Sequence, residues 1–149
     1  MLDWQQQLSA VGCRITRPRR EIMAVLERSA VPLAPPEILT RAQRALPHIG
    51  LVTVYRALAL FCEHGLARRV YFADGGHGYA LASPGHHHAL VCRRCGQAVE
   101  FAGCAEMDTL IARLEQHTGF AIDEHLLQLY GLCAECGANT RDVADPPTH

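Results

Sequence analysis

Two pairs of cysteines are the residues in this sequence best suited to bind a metal. Each pair has the spacing C-x-x-C, which permits a tight turn that aims both sulfurs at one ion, and four thiolates suit a tetrahedral zinc site. Residues 96–132 lie between the pairs, which leaves room for a helix. The alternative is two redox-active or unrelated thiol pairs, although a thioredoxin-like dithiol needs only one such motif. We expect a structural Zn²⁺ on Cys92, Cys95, Cys133 and Cys136, with Cys13, Cys62 and Cys104 left as single thiols.

Three consecutive histidines precede the first cysteine pair. If this segment is extended, alternation places His86 and His88 on one face and His87 on the other. A carboxylate and a further imidazole are available from the helix and the strand predicted further along the chain. The resulting nitrogen and oxygen donors suit zinc, iron or manganese. We therefore predict a second metal site, regulatory or structural, formed by His86, His88, Asp108 and His125.

The first half of the chain is predicted to be a winged helix. Helical periodicity covers residues 17–29, 36–46 and 51–64, and strands at 66–72 and 78–82 surround the turn signal Asp74-Gly75-Gly76. Two helices joined by a proline-marked turn and followed by a hairpin are typical of a winged helix-turn-helix. Leu51, Val54, Leu58 and Phe61 recur at helical spacing and are expected to face the core.

The outer face of the third predicted helix suits DNA. Val52, Arg56 and Ala59 point away from the core, with Tyr55 at the margin beside Thr53, and no acidic residue occurs between positions 48 and 61. Small apolar groups, a hydroxyl, an aromatic ring and one Arg suit thymine methyls, base edges and phosphates. The alternative is a helix packed on both sides. In the predicted wing, Arg68 and Arg69 are placed to touch phosphates.

The second half is predicted to be a small α+β unit. Strands are expected near 86–92, 97–101 and 120–132, with a helix at 105–117 whose apolar stripe includes Leu110 and Leu114. The fold class is therefore α+β, an N-terminal winged-helix DNA-binding domain plus a C-terminal α/β dimerisation domain with a four-cysteine zinc site. The predicted divisions are a winged helix at 1–82, a linker at 83–85, a metal-binding dimerisation domain at 86–138 and a disordered tail at 139–149.

Composition limits the classes of function. The 149 residues are 49% hydrophobic, enough for one domain or two small ones. All 14 basic residues are Arg, and residues 1–72 carry ten Arg against five acids, a charge of +5, while residues 73–149 carry four against ten, a charge of −6. Guanidinium groups suit phosphates and base edges. Neither a membrane-spanning run nor a signal peptide is evident, so we expect a cytoplasmic protein without a membrane partner.

Taken together, these motifs resemble the ferric uptake regulator family, including its zinc-uptake and peroxide-sensing branches. The resemblance covers nearly the whole chain. It is carried by Gly12-Cys13-Arg14-Ile15-Thr16-Arg17-Pro18-Arg19-Arg20, Thr53-Val54-Tyr55-Arg56-Ala57-Leu58, His86-His87-His88 with Leu90-Val91-Cys92-Arg93-Arg94-Cys95-Gly96, Val99-Glu100-Phe101, and Leu129-Tyr130-Gly131-Leu132-Cys133-Ala134-Glu135-Cys136.

The resemblance implies a metal-dependent repressor of uptake genes that binds an AT-rich, inverted-repeat operator in double-stranded DNA as a homodimer. Tyr55 and Arg56 match the family's recognition-helix pair, and Arg14 matches a basic residue that enters the minor groove. The four cysteines match the structural zinc ligands. His86, His88, Asp108 and His125 match a further ligand set, with Glu106 as the alternative carboxylate.

The family's sensing site between the two domains departs from the pattern. Pro32, Ala80 and Ala89 stand where the family usually has metal ligands, and only His87 remains. Sensing has then either moved to the four-residue set above, or His77, Asp74 and His87 form a replacement. The compact four-ligand set favours Zn²⁺ slightly over Fe²⁺ or Mn²⁺.

Two other classes of function stay open. A thiol-based redox regulator would use the cysteine pairs as reversible dithiols. A peroxide-sensing DNA-binding regulator depends on iron-bound histidines, and the departures at the sensing site argue against it. A zinc hydrolase or deaminase would need an open metal position, and the deaminase signature H-x-E with P-C-x-x-C is absent. We expect a regulator that is not an enzyme and has no small-molecule substrate.

Overall fold

A computed structural model describes residues 4–103 and 105–138. The chain is a mixture of helices and small sheets, so the predicted α+β class is confirmed. Cys104 and the tail predicted to be disordered at 139–149 lie outside the described residues. Within those residues, no helix combines the length and apolar character needed to cross a membrane.

Four helices and a hairpin form the first half. The helix boundaries follow local sequence signals, because prolines occupy the first turns of α2 and α3, where no helical hydrogen bond is lost, and Gly65, with a φ of 65°, follows α4. Leu33 pairs with Tyr79 and adds a bridge to the hairpin. The elements are α1 (Trp4–Ala10), α2 (Arg17–Glu27), α3 (Pro35–Ala42), α4 (Leu51–Glu63), β1 (Ala67–Tyr71) and β2 (His77–Leu81).

The four predicted helices are present, two of them ending two or more residues earlier than predicted, and two further helices were not predicted. α2 ends at Glu27 and α3 at Ala42, while α1 and the short helix α6 (Ala134–Ala138) are additional. Val54, Leu58 and Phe61 are fully buried as expected, but Leu51 is exposed because it begins α4 before the helix reaches the core.

A three-stranded sheet organises the second half. Its strands are β3 (His87–Cys92), β4 (Ala98–Ala102) and β5 (Gln128–Gly131), and β3 lies in the centre. β3 pairs antiparallel with β4 and parallel with β5, and α5 (Ala105–Thr118) supplies the crossover that a parallel pair requires.

The prediction of a strand from 120 to 132 is wrong over most of its length, because only residues 128–131 pair with β3. Phe120 and Leu126, two apolar residues within the predicted strand, are exposed. They therefore belong to the surface of this chain and not to its sheet.

A small shared core joins the two halves. Val70 of β1 packs with Ala89 and Val91 of β3, and Tyr130 of β5 packs against them. The larger core lies in the first half, among the four helices and the hairpin. The wing hairpin therefore belongs to both cores and connects the helices to the sheet.

Candidate metal centres and nucleic-acid interface

Four cysteine thiols converge beyond the ends of β3 and β5. β3 ends in Cys92, the turn that follows carries Cys95, and Cys133 and Cys136 flank the start of α6. The four Sγ atoms all lie within 4.8 Å of one another, and those of Cys95 and Cys133 are 3.8 Å apart. A zinc ion with Zn–S bonds of about 2.3 Å holds its tetrahedral sulfurs about 3.8 Å apart. The group could therefore hold a zinc ion.

The protonation of these thiols reflects their crowding. The backbone amides of Cys133 and Cys95 lower the pKa of Cys92 to about 6. The hydrogen bond with Cys133 and burial raise the pKa of Cys136 to about 12. The Cys92 sulfur thus carries negative charge at neutral pH, while the Cys136 sulfur retains its proton. A divalent cation that binds the four sulfurs would displace the remaining thiol protons.

Three histidines form a second group of potential ligands. His86 lies just before β3, His88 lies within it, and His125 lies three residues before β5. Their ring nitrogens lie within 4.8 Å of one another, and the Nε2 atoms of His86 and His125 are 2.8 Å apart. The distance of 2.8 Å is that of a hydrogen bond between the imidazoles of His86 and His125. Metal-bound imidazoles in a tetrahedral site, with Zn–N bonds of about 2.0–2.1 Å, would sit about half an ångström further apart.

The central imidazole is buried, and one of its nitrogens lacks a hydrogen-bond partner within the part of the chain that the structure describes. His88 is 2% exposed, and its Nε2 atom has no hydrogen-bond partner among the described residues. Burial lowers the pKa of His88, and His86 and His125 lower it further. The ring is therefore neutral at pH 7, which is the form that coordinates a metal. An unpaired buried nitrogen aimed at two other imidazoles fits a metal ligand.

Sequence reasoning missed Gly103. A Cβ atom there would come within 3.1 Å of the His86 ring and 3.7 Å of Nε2 of His88, so the glycine leaves room for both imidazoles. Its amide also donates to the carbonyl of His86. A glycine directly after β4 was the only signal for this role.

The carboxylate proposed for the second site is not part of this group. Asp108 and Glu106 lie exposed in the first turn of α5, and neither is among the described residues that gather around the three histidines. Asp74, His77 and His87 likewise do not form such a cluster. Asp74 accepts a hydrogen bond from Gly76 in the wing turn, and the ring of His77 packs against Tyr79. The contribution of each to a metal site stays a prediction.

The predicted reading face of α4 is open to solvent. Val52, Tyr55, Arg56 and Ala59 are exposed, and Thr53 is half-buried. The alternative of a helix packed on both sides is therefore wrong. Arg14, in the loop before α2, is also exposed, and its carbonyl accepts a hydrogen bond from Arg19.

The two wing arginines have partners within the chain. Arg68 pairs with Glu100 of β4, so its guanidinium is not directed to solvent as a phosphate contact would require. Arg69 donates to the hydroxyl of Tyr79 and remains exposed. Of the two arginines that were expected to touch phosphates, only Arg69 is exposed.

One face of the sheet is apolar and uncovered. Val99, Leu90 and Leu129 are direct neighbours across the three strands and are 54%, 45% and 47% exposed. α5 has no buried residue, and Leu110 and Leu114 on this helix are exposed as well. Exposed apolar area of this extent is typical of an interface between chains.

Comparison with known proteins extends over nearly the whole chain. Residues 10–130 match the sequence profile of the Ferric uptake regulator family. The Ferric uptake regulation protein of Neisseria gonorrhoeae is 32% identical over 133 residues, which cover 89% of this chain and 92% of that protein. The Peroxide operon regulator of Bacillus subtilis strain 168 is 32% identical over 133 residues, covering 88% and 89%. A zinc uptake regulator complexed with zinc and DNA has the same fold, with a TM-score of 0.79, 91% of both chains covered and 23% identity.

Proposed function

Because the chain belongs to the ferric uptake regulator family, we propose that it is a metal-dependent transcriptional repressor that binds operator DNA as a homodimer and controls metal-uptake genes. The observation that carries this proposal is the presence of two separate groups of metal-ligating side chains in the half of the molecule that packs against a winged helix. The four-cysteine group supports a structural role, and the three-histidine group supports a regulatory one.

The DNA-binding part of the proposal is supported by the exposed face of α4. Tyr55 would pack on thymine methyls, Arg56 would reach a base edge or a phosphate, and Thr53 would contact the backbone or a base. Arg14 would enter a narrow minor groove beside the site. These contacts suit an AT-rich operator. An inverted repeat is expected because a two-fold symmetric dimer presents two such helices.

The dimer is supported by the uncovered apolar surface. The row formed by Val99, Leu90 and Leu129 and the exposed apolar residues of α5 lie in the second half of the chain, as does the excess of acidic residues. Burying this surface against a second copy removes it from water. The positively charged first half stays free to meet DNA.

The four-cysteine group would hold Zn²⁺ permanently and fasten β3, β5 and α6 together. Cys92 belongs to β3, Cys133 follows β5, and Cys136 lies in α6. A bound divalent ion neutralises the thiolates, and the resulting crosslink adds to the folding free energy of this small unit.

The three-histidine group would respond to metal concentration. His86, His88 and His125 supply three nitrogen ligands, and Asp108 is proposed as the fourth, provided that α5 moves toward the group. Such a set favours Zn²⁺ slightly over Fe²⁺ or Mn²⁺. Holding His125 against β3 orders the segment that leads into β5. Affinity for DNA would then change through the population of the binding-competent arrangement.

Operator titrations with and without a chelator test this function. The protein is purified without added metal, its metal content is measured by elemental analysis, and binding to the operator is then titrated with Mn²⁺, Fe²⁺, Co²⁺ and Zn²⁺. His86→Ala should abolish the metal dependence of binding, whereas His117→Ala, a change of the same residue type at an exposed position of α5, should preserve it. Equal affinity of the wild type in both conditions would count against a metal-dependent repressor.

A peroxide-sensing regulator is the second candidate, and the similarity to a Peroxide operon regulator favours it. Peroxide treatment of the iron-loaded protein distinguishes the two. Oxygen addition to a histidine, detected by mass spectrometry together with loss of operator binding, would support peroxide sensing. Unmodified histidines and cysteines that stay protected from thiol reagents would support the metal-dependent repressor.

A further inference from the structure

A charge pair crosses the junction between the wing and the sheet. Nη1 of Arg68, on β1, lies 2.9 Å from Oε1 of Glu100, on β4, and the two side chains are 19% and 16% exposed. β1 belongs to the predicted DNA-binding half and β4 to the predicted dimerisation half. The pair therefore joins two parts of the molecule whose relative position decides whether a dimer can fit its operator.

The same carboxylate also holds the segment between the halves. Both oxygens of Glu100 accept the backbone N–H of Ser83, each at 3.2 Å. β1, β4 and the connecting segment thus meet at one side chain. Because most of the surface of Arg68 and Glu100 is shielded from water, this pair is less screened than an exposed one.

The surrounding cleft is built without metal ligands at the positions where the family pattern has them. Its volume is about 210 Å³, and Pro32, Ala80, Arg68 and Glu100 are among its lining residues. Pro32 and Ala80 offer no side-chain donor atom, and neither does Ala89 on β3. Among the described residues, the side chains that gather as potential metal ligands are the four cysteines and the three histidines, and neither group lies in this cleft. The residues present do not fit a metal ion here.

We propose that Arg68 is a built-in cation at this junction, which pairs with Glu100 in the place where the family pattern has a metal ion and so positions the wing on the sheet without metal. A guanidinium stays protonated at physiological pH. The junction would then be closed whether or not metal is present, and any response to metal would have to enter through the three-histidine group. This inference concerns the joining of the two halves, so it stands or falls separately from the proposed repressor function.

Backbone hydrogen exchange measures opening of the junction directly. The amide of Tyr71 is the reporter, because it donates across the junction to Oε1 of Gln128 at 3.0 Å and does not involve the charge pair itself. The full-length protein is used with zinc in the four-cysteine group and with weakly bound metal chelated. Amides of Leu58 and Phe61, in the core of α4, serve as internal references for global unfolding.

Arg68→Ala should accelerate exchange of the Tyr71 amide about two- to fivefold, in line with the usual strength of partly exposed ion pairs. Glu100→Gln should do the same while keeping an oxygen that can accept from Ser83. Arg41→Ala is the matched control, because Arg41 also forms an ion pair with a glutamate, Glu37, but within α3. The charge-reversed double variant, Arg68→Glu with Glu100→Arg, should restore slow exchange.

The proposal is overturned if Arg68→Ala and Arg41→Ala give the same exchange rate at Tyr71. It is also overturned if Glu100→Gln leaves the exchange rate at Tyr71 at the wild-type value. Faster exchange of the Leu58 and Phe61 amides in one single variant would mean that this variant is globally destabilised. The test then uses the other single variant and the charge-reversed double variant. Operator binding is not part of the readout, so failure of the repressor function would leave this test unaffected.

Discussion

Gln128 binds both backbone groups of Tyr71. Its Oε1 accepts the N–H of Tyr71, and its Nε2 donates to the carbonyl of the same residue. The side-chain amide thus extends the edge of β1 as a neighbouring strand would. Gln128 begins β5 three residues after His125, so this contact links the three-histidine group to the wing.

Replacing Gln128 by Ala should weaken the coupling between metal and DNA. Loss of two hydrogen bonds across the junction should lower the free energy of unfolding by about 1 kcal/mol. The ratio of operator dissociation constants with and without chelator should fall toward one, while the zinc content of the four-cysteine group stays the same. Gln116→Ala, at an exposed position of α5, is the control. An unchanged ratio in Gln128→Ala would show that the wing receives the metal signal by another route.

Cys133→Ser should remove the ion from the four-cysteine group. A serine hydroxyl is a much poorer zinc ligand than a thiolate, so elemental analysis should find about one metal ion fewer per chain, and the thermal midpoint should fall. Cys62→Ser changes a half-buried thiol outside the group and should retain the ion. Equal metal content in the two variants would contradict zinc binding by the four cysteines.

Arg56→Ala should reduce discrimination between operator and non-specific DNA by roughly 1–3 kcal/mol if the guanidinium pairs with a base. Fluorescence anisotropy with operator and scrambled duplexes measures this difference. Arg113→Ala removes the same charge from an exposed position of α5 and should leave discrimination unaltered. Equal weakening on both duplexes would identify Arg56 as a phosphate contact.

Leu110→Glu should shift the protein toward monomer. A carboxylate on the apolar surface of α5 would have to be buried in the dimer without a partner, which is costly. Sedimentation equilibrium measures the dissociation constant of the dimer. Val11→Glu places the same charge on an exposed apolar position in the first half and should leave association unchanged. Full dimerisation of Leu110→Glu would remove α5 from the interface.

Lowering the pH should destabilise the protein through His88 when the histidine group is free of metal. Burial lowers the pKa of His88 below its ordinary value of 6.5, so the unfolded chain takes up a proton before the folded chain does. The free energy of unfolding should therefore fall as pH drops below about 6.5 and level off below the lowered pKa. In His88→Gln this part of the pH dependence should disappear, whereas His117→Gln should keep it. Parallel curves for the three proteins across the acidic range would contradict a buried, neutral His88.

Local sequence patterns were sufficient to predict those features whose structure is determined by residues close together in the chain. The two C-x-x-C turns, the hairpin around Asp74-Gly75-Gly76 and the buried face of α4 follow from spacing and from backbone geometry within a few residues. The convergence of the two cysteine motifs was also predicted, because four thiolates suit one tetrahedral zinc ion.

Contacts between distant segments required the folded chain. Tyr71 and Gln128 are 57 positions apart in the sequence, Arg68 and Glu100 lie on strands from different halves, and no spacing rule connects either pair. Residues 120–127 carry the apolar composition of a strand, yet packing leaves Phe120 and Leu126 at the surface. Periodicity reports the local conformation that a segment can adopt, whereas the partner of each side chain depends on which surfaces meet when all segments pack at once. That is why the residue types of both groups of potential metal ligands were visible in the sequence, while the charge pair between the wing and the sheet became visible only in three dimensions.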